Sequence, residues 1–327
     1  MIITGIYPTP DQPVAGIYVE RRVDQLRAAG THVRVIHPTS YTGSVVLRYL
    51  RLAAAAMTAR GRFDGVEAHV LLPAGAIGLL AAMVRRLPMV VVAHGSDVSY
   101  TARRHPFLAK LARVVVGRAA AVVANSRTTA GFVADLGGEA AVISPGVDFE
   151  RFTPGPSERA ALGLPEGRIA LFVGPADAHK GVDVFVDGVT RTDWHGVIVG
   201  RGHGPAGDQI RVLPALPSDD LPRLYRSVDC VVVPSRREGL GLVAIEALAS
   251  GIPIVAARVG GLREVLAEGL NGVALEPLSG PDLASGLAAV AARRWDAEAL
   301  RDSVRSHELR NASAKMAGLW QRILNDH

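Results

Sequence analysis

The sequence predicts an α/β protein built as two doubly wound, Rossmann-like domains. Short apolar runs of four or five residues, rich in Val, Ile and Ala, recur along the chain and alternate with stretches of helical period. The composition, 49 % hydrophobic but only 5 % aromatic, suits parallel sheets covered by helices on both faces. At 327 residues the chain has room for two domains of ordinary size.

Each element can be argued in order. Residues 1–10 read as a strand and a loop, and the loop runs into a helix over 19–29 closed by Gly30. A strand at 33–37, a helix at 45–59, a short strand at 65–68 and an Ala/Leu-rich helix at 74–86 follow. The strand at 89–93 ends at His94-Gly95-Ser96-Asp97. Helix 106–118, strand 121–124, helix 128–136 and strand 140–143 complete a first domain, residues 1–150. Pro154, Gly155, Pro156 and Gly163 mark residues 151–165 as a linker. The second domain, 166–308, begins with strand 169–173, helix 182–189, strand 196–199 and helix 220–227. The segment between Gly204 and Val212 is short for a βαβ unit. A strand at 230–233, a helix from Leu242, a strand at 254–257, a turn at Gly260-Gly261 and a short strand at 273–275 come next. Helices at 282–292, 297–304 and 309–324 end the chain.

Charge and cysteine usage narrow the function classes. The formal net charge is +5, and residues 1–150 hold 16 Lys+Arg against 10 Asp+Glu while residues 151–327 hold 20 against 21. A basic first domain fits an anionic acceptor or a peripheral membrane contact, and equally fits arginine-rich helix faces that merely stay wet. Arginine outnumbers lysine 33 to 3, which reflects a GC-rich genome rather than a nucleic-acid binder. The single Cys230 agrees with a reducing compartment. No leader-like segment precedes the first strand and no apolar run reaches the ~18–20 residues of a spanning helix. The expectation is a soluble, cytoplasmic protein.

The chain is organised around residues 234–265, PSRREGLGLVAIEALASGIPIVAARVGGLREV. A buried strand feeds a glycine-rich turn at Gly239 and Gly241, and a helix starts at Leu242. That helix N-terminus is a place where backbone N–H groups and the helix dipole favour phosphate. Glu238 and Glu246 bracket the turn. Acidic groups beside a phosphate site need hydroxyls to bind, and a sugar nucleotide supplies both phosphate and hydroxyls. Glu238, seven residues and Glu246 in this setting resemble the signature of the retaining GT-B glycosyltransferases of family 4. The plain reading, a βαβ unit with two incidental glutamates, does not explain two glycines and two carboxylates in one turn and helix.

Further stretches extend the resemblance over nearly the whole chain. Pro8 to Gly16 is similar to the family's loop that approaches the donor phosphates through its glycine, though a surface loop would look the same. His94 corresponds to the histidine that contacts the transferred sugar. Gly174 and Lys180 lie in the turn that binds the diphosphate, but Pro175 stands where the family has arginine and His179 where it has an acid. Lys180 is one of three lysines in an arginine-choosing chain, which favours a specific role for a compact charge. Residues 199–205 resemble the glycine-rich strand end, and 212–216, with Leu213, the segment holding the base. By the resemblance His94, Lys180 and Glu238 are the catalytic set. Gly16, Gly174, Lys180, Arg201, Leu213, Glu238, Gly239, Leu240, Gly241, Leu242 and Glu246 hold the donor. Arg201, then Arg236 or Arg237, then His179 are the expected replacements for the missing arginine. No spacing suits a metal, so no cofactor is expected.

The resemblance implies a hexosyltransferase moving a sugar, with retention, from a nucleoside-diphosphate sugar to a small-molecule, lipid or saccharide acceptor in natural-product (antibiotic) or cell-envelope biosynthesis. It also implies the GT-B arrangement, two domains facing a central cleft and closing on the donor, with the helix over 309–327 packing back on the first. A relative using a thiol or amine acceptor, and a protein that only binds nucleotide sugar, are the alternatives. Base, sugar, acceptor and oligomeric state are not encoded in these motifs.

Overall fold

The structure, a computed structural model, describes residues 1–12, 15–95, 105–200, 202, 207–214 and 220–327. The chain forms two compact units, Met1–Pro145 with Ala312–His327, and Gly146–Asn311.

In the first unit the strands are β1 (Ile2–Thr4), β2 (Val35–Ile36), β3 (Val66–His69), β4 (Met89–Ala93), β5 (Ala121–Ala124) and β6 (Ala141–Val142). They run parallel in the order β2-β1-β3-β4-β5-β6. The helices are α1 (Ile17–Ala28), α2 (Val45–Thr58), α3 (Ala74–Arg85), α4 (Pro106–Arg118) and α5 (Arg127–Ala134). Ser44 and Ser126 cap α2 and α5 by accepting the Leu47 and Thr129 amides. The central strands β3 and β4 are buried along their whole length; β4 accordingly reads as a continuous apolar run, whereas β3 carries the buried Glu67 and His69.

The second unit holds β7 (Ile169–Val173), β8 (His195–Val199), β9 (Ile210–Leu213), β10 (Cys230–Val233), β11 (Ile254–Ala257) and β12 (Gly272–Leu275). Their order, β12-β11-β10-β7-β8-β9, is again all parallel and reverses direction between β7 and β10. Ligands of open α/β sheets bind outside the carboxyl ends of the strands at such a reversal. The helices are α6 (Val182–Val189), α7 (Leu221–Tyr225), α8 (Leu242–Ala249), α9 (Leu262–Val265), α10 (Gly280–Ala291) and α11 (Ala297–Ser303). The final helix, α12 (Leu309–Asn325), begins where the second unit ends and lies mostly in the first.

The short segment before residue 212 runs into the edge strand β9, whose apolar run Arg211 interrupts. One expectation is revised. Residues 151–165 are part of the second unit rather than a free linker. Phe152 is fully buried, its ring meets Tyr225 edge-on at 5.8 Å, and Arg301 donates to the Phe149 and Phe152 carbonyls at 2.7 Å each. In the first unit, Met316 and Leu319 of α12 pack with Val90, Val92 and Val123, and the Trp320 indole N–H donates to Glu67 at 2.8 Å. Gly65 makes room for that indole, since a Cβ there would lie 2.4 Å from the ring.

Candidate active site

The second unit brings Lys180 and Glu238 together at the reversal point. Lys180 follows the β7 turn and Glu238 follows β10, and the ammonium donates to Oε2 of the carboxylate at 2.7 Å. Ser235 donates to the same oxygen at 3.2 Å, and the Gly239 amide to Oε1 at 3.3 Å. The carboxylate is thus aimed by three donors, which fix its orientation.

Glycines allow this packing. Gly260 sits at φ 51 with the Glu238 carbonyl 1.8 Å from where a Cβ would be, and Gly181, at φ 75, meets the Pro234 carbonyl at 2.0 Å. A side chain on Gly181 would push the Lys180 loop away from the one that carries Glu238, and one on Gly260 would push its own turn off Glu238. Gly174 and Gly200 make the same kind of backbone approach, with a Cβ on Gly200 lying 1.8 Å from the Gly174 carbonyl. Gly241, at φ 92, starts α8. Leu240 is buried in the core, so it offers the site only its backbone, and Leu242 packs partly buried beside it.

Glu246 lies in the middle of α8 and is 6 % exposed. The buried Tyr225 hydroxyl, from α7, donates to its Oε2 at 3.1 Å. A buried carboxylate in an apolar helix is costly unless hydrogen-bonded, and Tyr225 supplies one of its bonds. Leu213 ends β9, half-buried. Arg201 lies outside the described residues, as do Ser96, Asp97 and His203. Of the other expected replacements for the missing arginine, Arg236 is engaged by Asp183, at 2.8 and 2.6 Å through two nitrogens. That pairing holds the Asp183 carboxyl below its usual range. Arg237 rests against the His179 ring. Pro175 carries no donor, and its carbonyl accepts the Asp177 amide at 2.8 Å.

In the first unit His94 follows β4 and is partly buried. Its Nε2 lies 3.2 Å from Nδ1 of His69, at the end of β3, and the two rings stack at 5.4 Å. His69 Nε2 in turn meets Glu67 Oε1 at 3.0 Å, and Arg22 Nε lies 3.4 Å from the same oxygen. Burial opposes ionisation of Glu67, but Arg22, His69 and Trp320 outweigh it and hold the carboxyl well below the usual range. Burial, then the neighbouring His69, lowers the His94 imidazole to about 3, against an upward pull from Glu67. His94 is therefore neutral at physiological pH and can both give and accept a hydrogen bond. Val70, directly after His69, sits at φ 78, a strained conformation for a β-branched residue. Gly16 caps α1 at φ 66, and a Cβ there would lie 2.4 Å from the Ile6 carbonyl, so chain packing alone requires glycine.

Tyr225, Ser235, His69, Glu67 and Trp320 were not anticipated as neighbours of the site. One signal existed, because Glu67 and His69 stand two residues apart on a strand and so share a face. Among the described residues no group of three or more His, Cys, Asp or Glu could hold a metal ion.

The fold defines a two-domain architecture of the GT-B type. Residues 156–307 match the family model for glycosyl transferases group 1, and residues 14–151 that for glycosyltransferase family 4. The chain is 33 % identical over 273 residues to the D-inositol 3-phosphate glycosyltransferase of Salinispora arenicola, covering 69 % of this chain and 60 % of that protein. It is 35 % identical over 255 residues to the Mycolicibacterium gilvum protein of the same name, covering 68 % and 57 %. The chain thus spans about 60 % of the length of the curated relatives it matches. Among solved structures it resembles a sucrose-phosphate synthase from Thermosynechococcus elongatus, with TM-score 0.87, 21 % identity and all of both chains covered. It also resembles Anabaena HepE in complex with UDP, with TM-score 0.74, 20 % identity and 92 % and 89 % covered. The chain belongs to the GT-B glycosyltransferases of family 4.

Proposed function

We propose that the protein transfers a sugar from a nucleoside-diphosphate sugar to a hydroxyl-bearing acceptor with retention of anomeric configuration. The observation that carries this reading is the Lys180–Glu238 pair at the sheet reversal, 2.7 Å apart beside the glycine turn into α8. Lys180 and the α8 N-terminus face the charge that grows on the leaving phosphate. Preorganised groups of this kind supply much of the rate enhancement in group transfer. Glu238 binds sugar hydroxyls, Glu246 the ribose, and neutral His94 a further sugar hydroxyl. The bond between the anomeric carbon and the phosphate oxygen breaks, and its electron pair stays on the phosphate. The acceptor oxygen bonds the same face of the anomeric carbon, and its proton passes to the departing phosphate. A Mg²⁺ or Mn²⁺ requirement, seen as loss of turnover in EDTA and rescue by the ion, would count against Lys180 as the countercharge.

HepE was crystallised with UDP and with UDP-glucose, which makes uridine donors the first to try. Melting the protein with UDP, GDP, ADP or dTDP tests the reading, since a ligand at 100 times its Kd stabilises by about 2.7 kcal/mol. NMR of the product anomer tests retention. Pro175 favours a second reading, a protein that binds nucleotide sugar without transfer, and donor turnover with and without acceptor separates the two. The partners proposed are the nucleotide sugar, an acceptor of natural-product or cell-envelope type, and an anionic lipid surface. The location proposed is cytoplasmic; among the described residues no helix is long and apolar enough to cross a membrane.

A further inference from the structure

The outer layer of the first unit carries a surface that glycosyl transfer does not use. Helix α3 packs between α2 and α4, and the inner faces of all three, including Leu52, Leu79 and Val115, are buried. Their outer faces are apolar. Val46 and Leu50 on α2 are 69 % and 61 % exposed, Met83 and Val84 on α3 55 % and 60 %, and Phe107 on α4 74 %. Nine of the twelve large apolar side chains exposed among the described residues belong to these three helices. An exposed apolar patch of this extent marks an interaction surface.

Charge identifies the partner. The three helices contain six basic residues and no acidic one, and residues 68–134 contain a single acid, Asp97. Lys110, Arg113 and Arg118 on α4 and Arg51 on α2 are exposed, and none forms an ion pair among the described residues. On α4, Phe107, Lys110, Val114 and Arg118 fall at helical spacing along one strip. A protein partner would need an acidic surface with apolar pockets matched to each residue. An anionic bilayer meets the same pattern without register, taking apolar side chains among the acyl chains and cations among the headgroups.

We infer that the α2–α3–α4 face docks on anionic lipid, and this inference does not depend on the sugar-transfer reading. The test is flotation of the full chain with phosphatidylcholine vesicles, with and without about 30 % phosphatidylglycerol. Binding is expected only with the anionic lipid, falling as salt rises from about 0.05 M to about 0.5 M. Lys110→Glu/Arg113→Glu/Arg118→Glu should weaken it by about fivefold or more for each charge reversed. Val46→Ser/Leu50→Ser/Phe107→Ser should weaken it at low salt as well, with an unchanged melting temperature because all three side chains are exposed. Nucleoside-diphosphate binding should be unaffected in both variants. Equal binding to neutral vesicles, none to either, or unaltered binding by the charge-reversed variant would overturn the inference. So would a dimer, seen by sedimentation, that the Ser variant dissolves, because a second copy would then cover this face.

Discussion

Replacing Glu238 by Gln should make the protein bind nucleoside diphosphate more tightly while making it a worse transferase. In the structure the carboxylate holds the Lys180 ammonium at 2.7 Å. A phosphate accepted by Lys180 would then stand about 5 Å from that carboxylate, a repulsion of ~3 kcal/mol at an effective dielectric of about 20. Lys180 is 34 % exposed and Glu238 16 %, so solvent screening reduces this to about 1–2 kcal/mol. Removing the charge should tighten UDP, or whichever diphosphate binds, by about 5–30-fold. The amide keeps an acceptor for Ser235, so the loop should hold its shape. With the sugar attached, the loss of the carboxylate acceptor should lower kcat/KM by at least about tenfold, the usual scale for one charged hydrogen bond. Titration calorimetry with the free diphosphate and steady-state kinetics with the sugar donor read the two effects separately. A diphosphate Kd that is unchanged or weaker in Glu238→Gln would show that this carboxylate does not face the phosphate, and the proposed geometry would fall.

Three further outcomes are expected. Lys180→Ala should lower kcat more than it raises KM, and a kcat/KM within about twofold of the parent would remove its assigned role. Glu246→Ala should mainly raise the donor KM, while Tyr225→Phe, which strips a hydrogen bond from a buried carboxylate, should cost about 1.5–3 kcal/mol of stability in urea unfolding. The first unit should be acid-labile. His94 is held neutral in the fold, down to about 3, so below its unfolded value near 6.5 only the unfolded chain takes up the proton, and up to about 2 kcal/mol is lost by pH 5. The Glu67 carboxyl is held ionised, so its stabilising contribution is present above the ordinary carboxylate range and is lost as pH falls through and below that range. Melting curves of the parent and of His94→Phe from pH 7 to pH 5 check this, and identical slopes would refute the His94 part.

Interior strands were legible because they are buried on both faces. Met89–Ala93, Ile169–Val173, Cys230–Val233 and Ile254–Ala257 are unbroken apolar runs, and their predicted ends coincide with those in the structure. Edge strands were legible in place but less so in length: β2 and β6, expected over 33–37 and 140–143, are two residues each, and only β9, which carries Arg211, was not expected as a strand. The glycine turn with Glu238 and Glu246 could be read because its chemistry is local in the chain. The groups that hold those residues come from elsewhere. Tyr225 is 21 residues from Glu246, His69 is 25 from His94, and Trp320 is 253 from Glu67. Only tertiary packing brings such pairs together, and no spacing rule reaches across it.

The φ of 78 at Val70 bears on how the protein could be improved by mutation. A valine there costs about 1–3 kcal/mol that glycine or asparagine would not. Trimming a valine usually weakens a protein, but at this position a smaller residue should be neutral or raise the melting temperature. Stability screens would therefore select changes at Val70, one peptide bond from His69. Gains found there would come with a looser hold on the histidine pair, so a thermostable library should be scored for turnover before position 70 is accepted.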